Sequence, residues 1–207
     1  GCGRTDGGVH ALAYAAHLEV VSELAPETVA EMLNDTLPKD IAVLRAESVD
    51  PRFHARHNCL ARSYIYQLKQ RKSAFAKRYN WWIREKLDVA AMQRAAEVMV
   101  GMHDFANFAE KQELKKSTKV LVQMVQLTDD NDLITVRVVG SHFLWRMVRR
   151  MVGVLVEVGC HRLTPEDVRG FLLAPSKVPF NHTAPPAGLY FERAFYDENE
   201  LKNYLKA

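Results

Sequence analysis

Apolar and polar positions change period several times along the chain, and each change marks an expected element. After a glycine-rich opening, Tyr14, Ala16, Leu18 and Val20 alternate with Ala15, His17 and Glu19, which predicts a strand with one buried face. From Pro26 the period lengthens. Val29, Met32, Leu33, Thr36 and Leu37 recur at helical spacing, with Pro26 suited to a first helical turn and Pro38 closing the far end. Residues 41–49 return to strand character, and residues 50–58 read as a polar connection. Residues 62–68 predict a strand on which Tyr64 and Tyr66 share a face. Asp88 suits the N-cap of a helix carrying Val89, Met92, Ala96, Met99 and Val100, with Gly101 as its stop. Two more strands, 120–127 and 133–139, are joined by Asp129, Asp130, Asn131 and Asp132, a hairpin signal.

Residues 143–159 carry the strongest helical pattern. Phe143, Leu144, Met147, Val148, Met151, Val152, Leu155 and Val156 form a broad apolar stripe, with Arg146 and Arg150 opposite it. Arg149 falls near the stripe's margin, from which a long side chain can lean over packed surface toward a cleft. Thr164, Pro165, Glu166 and Asp167 start a short helix with a variant capping box. A loop of prolines and small residues, 174–187, precedes a last strand at 188–196. Strands and helices alternate irregularly and no repeat is visible, so the fold class is α+β with a mixed or antiparallel sheet and two subdomains meeting along a cleft.

Composition narrows the class. A chain of 207 residues that is 48% hydrophobic suffices for one sizeable domain or two small ones sharing an interface. No apolar run reaches the roughly 20 residues that cross a bilayer, and the start lacks the pattern of a signal peptide, so neither membrane insertion nor secretion is expected. Cys2, Cys59 and Cys160 are odd in number and far apart, which fits a reducing cytoplasm and suggests no disulfide framework or zinc site. The net charge is only +3, but the cations cluster: Lys69, Arg71, Lys72, Lys77, Arg78 and Arg84 in one stretch, Lys111, Lys115, Lys116 and Lys119 in another. Such runs suit a polyanion, although a solvated surface explains them equally well on charge alone.

The candidate chemistry lies in the opening loop, Gly1-Cys2-Gly3-Arg4-Thr5-Asp6-Gly7-Gly8. Four glycines in eight residues permit a tight backbone that sets Arg4 and Asp6 two positions apart before a strand. The pattern is neither a P-loop nor a dinucleotide fingerprint, so binding of a nucleoside triphosphate or NAD is not expected. Taken by itself, Asp6-Gly7 could equally be no more than a hairpin turn.

A family resemblance favours chemistry. Gly3-Arg4-Thr5-Asp6-Gly7-Gly8-Val9-His10-Ala11 resembles the signature of the TruA family of pseudouridine synthases. Further landmarks follow in the family's order: Leu37-Pro38-x-Asp40-Ile41-Ala42-Val43, Phe53-His54-Ala55-Arg56, Ala61-Arg62-x-Tyr64-x-Tyr66 and Gly101-x-His103-Asp104-Phe105. Phe143-Leu144-x-x-Met147-Val148-Arg149-x-x-Val152-Gly153 and Ala184-Pro185-Pro186-x-Gly188-Leu189-Tyr190 complete the series. The chain opens inside the signature loop without an initiator Met, whereas the family has a strand and a helix upstream of it. The expectation is therefore a pseudouridine synthase fold with its N-terminal part missing: residues 1–50 the remainder of an N-terminal subdomain carrying the catalytic loop, residues 51–207 the C-terminal subdomain, and a basic RNA-binding cleft between them.

The resemblance implies an isomerase that converts uridine to pseudouridine at positions 38–40 of the tRNA anticodon stem-loop, acting as a cytoplasmic homodimer without cofactor or metal. It makes Asp6 the catalytic carboxylate, as nucleophile or as base. Arg4 and Arg149 match the family's active-site arginines, and Tyr64 its active-site tyrosine, stacking on the uracil and helping to move the C5 proton. Leu189 matches an apolar residue packed against the flipped base. His10 and His54 sit in landmarks where packing and hydrogen bonding are expected rather than catalysis. Two other readings compete. A non-catalytic RNA-binding module, or an inactive fragment of the synthase, fits the basic stretches, but no RNP1-like motif is present. An aspartate-dependent glycosidase needs two positioned carboxylates, and the loop offers one.

Overall fold

The computed structural model describes residues 1–115 and 117–206. Lys116, in the second basic stretch, lies outside them. Among the described residues, seven strands join in one mixed sheet: β1 (His10–Ala13), β2 (Ala61–Lys69), β3 (Trp81–Trp82), β4 (Gly101–Asp104), β5 (Lys119–Asp130), β6 (Leu133–Gly140) and β7 (Leu189–Phe195). Their order across the sheet is β1-β7-β2-β6-β5-β4, with β3 also pairing to β2. β1–β7 and β2–β3 are parallel pairs, and the rest of the ladder is antiparallel. The mixed α/β class agrees with the pattern of the sequence.

The helices are α1 (Pro26–Thr36), α2 (Val89–Val98), α3 (Met147–Gly159), α4 (Pro165–Leu173), α5 (Val178–Asn181) and α6 (Glu198–Tyr204). α2, α3 and α4 cover one sheet face, where Tyr64, Tyr66 and Leu68 of β2 meet Met92, Met99, Met151, Leu155 and Phe171 in the main core. Asp88 caps α2 by accepting from Ala91 N at 2.9 Å, and Thr164 and Asp167 close a reciprocal capping box on α4. The other face is covered by α6 over a smaller cluster of Ala61, Val139, Phe195 and Leu201. A bulge allows β7 to serve both faces. Tyr64 pairs with Phe191 while Ser63 pairs with Arg193, so Glu192 is the unmatched residue and the inward side changes across it. Phe191 then belongs to the main core and Phe195 to the smaller one.

Several sequence expectations are corrected. The first strand is β1, not residues 14–20, and Leu18 and Val20 are 64% and 60% exposed. Residues 41–49 form no strand. Residues 14–20 alternate and residues 41–44 are apolar, but no described strand pairs with either segment, and a strand without a ladder leaves its backbone groups to water. The helix expected over 143–159 begins at Met147, because Arg146 adopts a left-handed backbone (φ 63°) that interrupts helical geometry. Arg150, opposite the apolar stripe, is nevertheless 1% exposed, since Glu110 pairs with it from the loop after β4 at 2.7 Å. β3, β4, α5 and α6 have no counterpart in the sequence reading, and α5 lies inside the expected loop 174–187. No described helix is long and apolar enough to cross a membrane.

Candidate active site

The opening loop turns on a bond from Val9 N to Asp6 O at 3.1 Å. Gly8 has φ 81° there, and a side chain at that position would also press on Pro186. The strand β1 then runs parallel to β7, which fixes the loop at the end of the sheet where β7 begins. The start of the loop is tied down twice. Cys2 N donates to Ala15 O at 2.8 Å, and the Tyr14 hydroxyl donates to Gly3 O.

A third tie comes from Arg62 on β2, which is 9% exposed and has no carboxylate partner among the described residues. Its guanidinium donates to the carbonyls of Cys2 (3.0 Å), Ser141 (2.8 Å) and Arg56 (3.1 Å). One side chain thereby joins the opening loop, the β6–α3 connection and the segment before β2. These three segments border a cleft of about 630 Å³ lined by Arg4, Asp6, Arg56, Tyr64, Trp145, Arg149 and Leu189, among others.

Asp6 is held on both carboxylate oxygens. Arg149 Nη1 donates to Oδ2 at 2.8 Å and Trp145 Nε1 donates to Oδ1 at 2.7 Å, while Arg146 Nε lies 4.0 Å from Oδ2. Arg149 is itself anchored, since its Nε donates to Ala184 O at 2.7 Å and its backbone carbonyl accepts from Ala184 N at 3.1 Å. The chain at Ala184 can lie that close to α3 because Gly153 has no side chain. A Cβ there would stand 1.5 Å from His182 O. The Gly153 landmark therefore acts on the site through the position of Arg149.

Tyr64 is 8% exposed, and its ring meets Phe143 and Phe191 edge-on, each at 5.2 Å between centroids. Its hydroxyl reaches the cleft beside Gly3 and makes no hydrogen bond among the described residues. Burial pushes the phenol above the ordinary tyrosine range, so it stays protonated at neutral pH. Tyr66 is core: it is fully buried and donates to Pro185 O at 2.7 Å. Leu189, 6% exposed, opens β7 on the cleft wall.

Asp6, Tyr64, Arg149 and Leu189 thus converge on one cleft. Arg4 lines it too, but is exposed and forms no ion pair with Asp6. His10 bonds Arg78 O at 2.7 Å between Tyr79 and Tyr190, and the ring of His54 accepts from the backbone of Arg56 and His57. Both are packing residues. The cysteines are unbonded to one another, and burial raises the Cys2 and Cys160 thiols, the latter to about 11, so neither offers a ready thiolate.

Residues 95–197 match the family model of tRNA pseudouridine synthase. Nearly the whole chain resembles curated members. It is 38% identical to tRNA pseudouridine synthase A of Thermus thermophilus over 96% of this chain and 80% of that protein. The corresponding figures are 39%, 92% and 79% for the Geobacter sulfurreducens enzyme of the same name. For tRNA pseudouridine synthase A 2 of Clostridium tetani they are 35%, 95% and 80%. The chain belongs to the tRNA pseudouridine synthase family. Membership agrees with the resemblance read from the opening loop and its companion landmarks.

Sequence reasoning missed two contributors to this family member's site. Arg62 stands inside a quoted landmark, and an Arg inside a predominantly apolar strand was the available signal. Trp145 left no such signal, because helical phasing over residues 143–159 does not anticipate the left-handed residue that turns it toward Asp6.

Proposed function

We propose that the chain isomerises uridine to pseudouridine in tRNA, at positions 38–40 of the anticodon stem-loop, with Asp6 as the catalytic carboxylate. The observation that supports this assignment is the Asp6–Arg149 ion pair at 2.8 Å in a cleft shared with Tyr64 and Leu189. The N1–C1′ bond breaks, the uracil turns, and a C5–C1′ bond forms. The proton lost from C5 balances the one gained at N1, so the reaction consumes nothing.

Asp6 would act at the sugar, by attack on C1′ or by removing a sugar proton, in an orientation set by the Arg149 guanidinium. The flipped uracil would lie between Leu189 and the Tyr64 ring, with the protonated phenol able to relay the C5 proton. Arg4 and Arg56, both exposed at the cleft, suit the flanking phosphates, as do the described lysines between residues 111 and 119 and the basic stretch from Lys69 to Arg84.

A division into residues 1–50 and 51–207 is supported by burial. Only Cys2 and Ala30 are buried in the first part, whereas most of the sheet and its covering helices belong to the second. We also assign a homodimer working in the cytoplasm, where tRNA is modified. In the test, Asp6→Asn abolishes pseudouridine formation on a tRNA transcript while tRNA binding persists. Unimpaired turnover by that variant would refute the assignment.

A further inference from the structure

Arg149 holds one oxygen of Asp6. A guanidinium usually grips a carboxylate with two parallel N–H groups, but here Arg149 Nε is committed to Ala184 O and only Nη1 reaches Oδ2. One hydrogen bond leaves a carboxylate able to swing about its Cβ–Cγ bond, and a reacting oxygen needs a defined direction. The second donor is Trp145 Nε1 on Oδ1. An indole N–H can only donate, so it suits a carboxylate oxygen and cannot compete with Asp6 for a proton.

The indole is placed by built features, although Trp145 is 42% exposed. Arg146 has φ 63°, an uncommon and costly conformation for a residue with a side chain, and this turn precedes α3 immediately. The Arg146 guanidinium lies 5.1 Å from the centre of the Trp145 ring, where it backs the indole. Arg146 is held in turn by Glu110 at 3.0 Å, and Glu110 by the buried Arg150 at 2.7 Å. A chain of contacts therefore leads from the core through Glu110 and Arg146 to the indole and on to the carboxylate.

We propose that Trp145 is a positioning residue for the isomerisation, fixing the rotation of the Asp6 carboxylate before uridine arrives. The assignment rests on Asp6 being the catalytic carboxylate. Trp145→Phe keeps an aromatic ring under Arg146 and removes only the donor. With a tRNA transcript as substrate, kcat should fall about tenfold or more while KM changes less than about twofold, the pattern of an interaction that matters at the transition state. The melting temperature should stay within about 2 °C of the parent, as expected for a partly exposed side chain.

Unchanged kcat in Trp145→Phe overturns the proposal. A rise in KM alone overturns it too, by making Trp145 an RNA contact, and a fall in melting temperature that tracks the loss of kcat makes it a folding residue. Asp6→Asn measured in parallel separates the two levels. Turnover in that variant refutes the role of Asp6 itself, whereas an inactive Asp6→Asn beside a fully active Trp145→Phe refutes only the role of Trp145.

Discussion

Helix α3 and residues 14–50 both carry apolar patterns and meet very different fates. Eleven of the thirteen residues of α3 are buried, including Arg150. Between residues 14 and 50 only Ala30 is buried, and Leu18, Val20, Ile41, Leu44 and Val49 are all more than 45% exposed. Yet α1 forms inside that second region, while the two expected strands on either side of it do not. A helix satisfies its backbone hydrogen bonds internally, whereas a strand depends on a neighbour that is often far away in sequence. Periodicity states which face would be buried; a partner decides whether it is.

Four substitutions would break or sharpen this contrast. The largest effect is expected at Glu110, the partner that makes the burial of Arg150 on α3 tolerable. Glu110→Ala leaves a nearly inaccessible guanidinium without its counter-charge and should cost about 3–5 kcal/mol in urea denaturation. A loss below 1 kcal/mol would mean that Arg150 finds water instead.

Next is Gly153→Ala, which forces the chain around His182 away from α3. Overpacking of this kind should cost about 1–3 kcal/mol. Because Ala184 would move with its neighbours and take the Arg149 anchor with it, kcat for pseudouridine formation should fall as well. A destabilised but catalytically normal variant would show that Arg149 does not depend on that carbonyl. The smallest effect belongs to the other region. Leu18→Ser and Val20→Ser should each change stability by no more than about 0.5 kcal/mol, because these side chains are already in water. A loss of 2 kcal/mol at either would reveal that something covers them in solution.

Much of the framework was legible beforehand. The strand carrying Tyr64 and Tyr66, the hairpin through Asn131, the capped helices at Asp88 and Thr164 and the final strand all lie within a few residues of their expected bounds. Each depends on local signals, namely alternation, a capping side chain or turn chemistry. The short strands β3 and β4 were invisible because two or four residues carry too little pattern. At the site, Asp6, Arg149, Tyr64, Leu189 and Arg4 were nameable from the family landmarks. Arg4 lines the cleft exposed, while Arg149 and Trp145 occupy both Asp6 oxygens.

The sequence by itself determined the α+β class and, through its resemblance to a known family, named Asp6, Arg149, Tyr64 and Leu189 as candidates, because periodicities and short motifs lie within single segments. Only the tertiary structure decided that residues 14–20 and 41–49 stay out of the sheet, that Arg150 is buried, that Arg62 ties three loops together and that an indole completes the grip on Asp6. Each of these involves groups far apart in the chain. Such contacts depend on what the folded backbone brings within about 3 Å, a hydrogen-bond distance that no local pattern encodes.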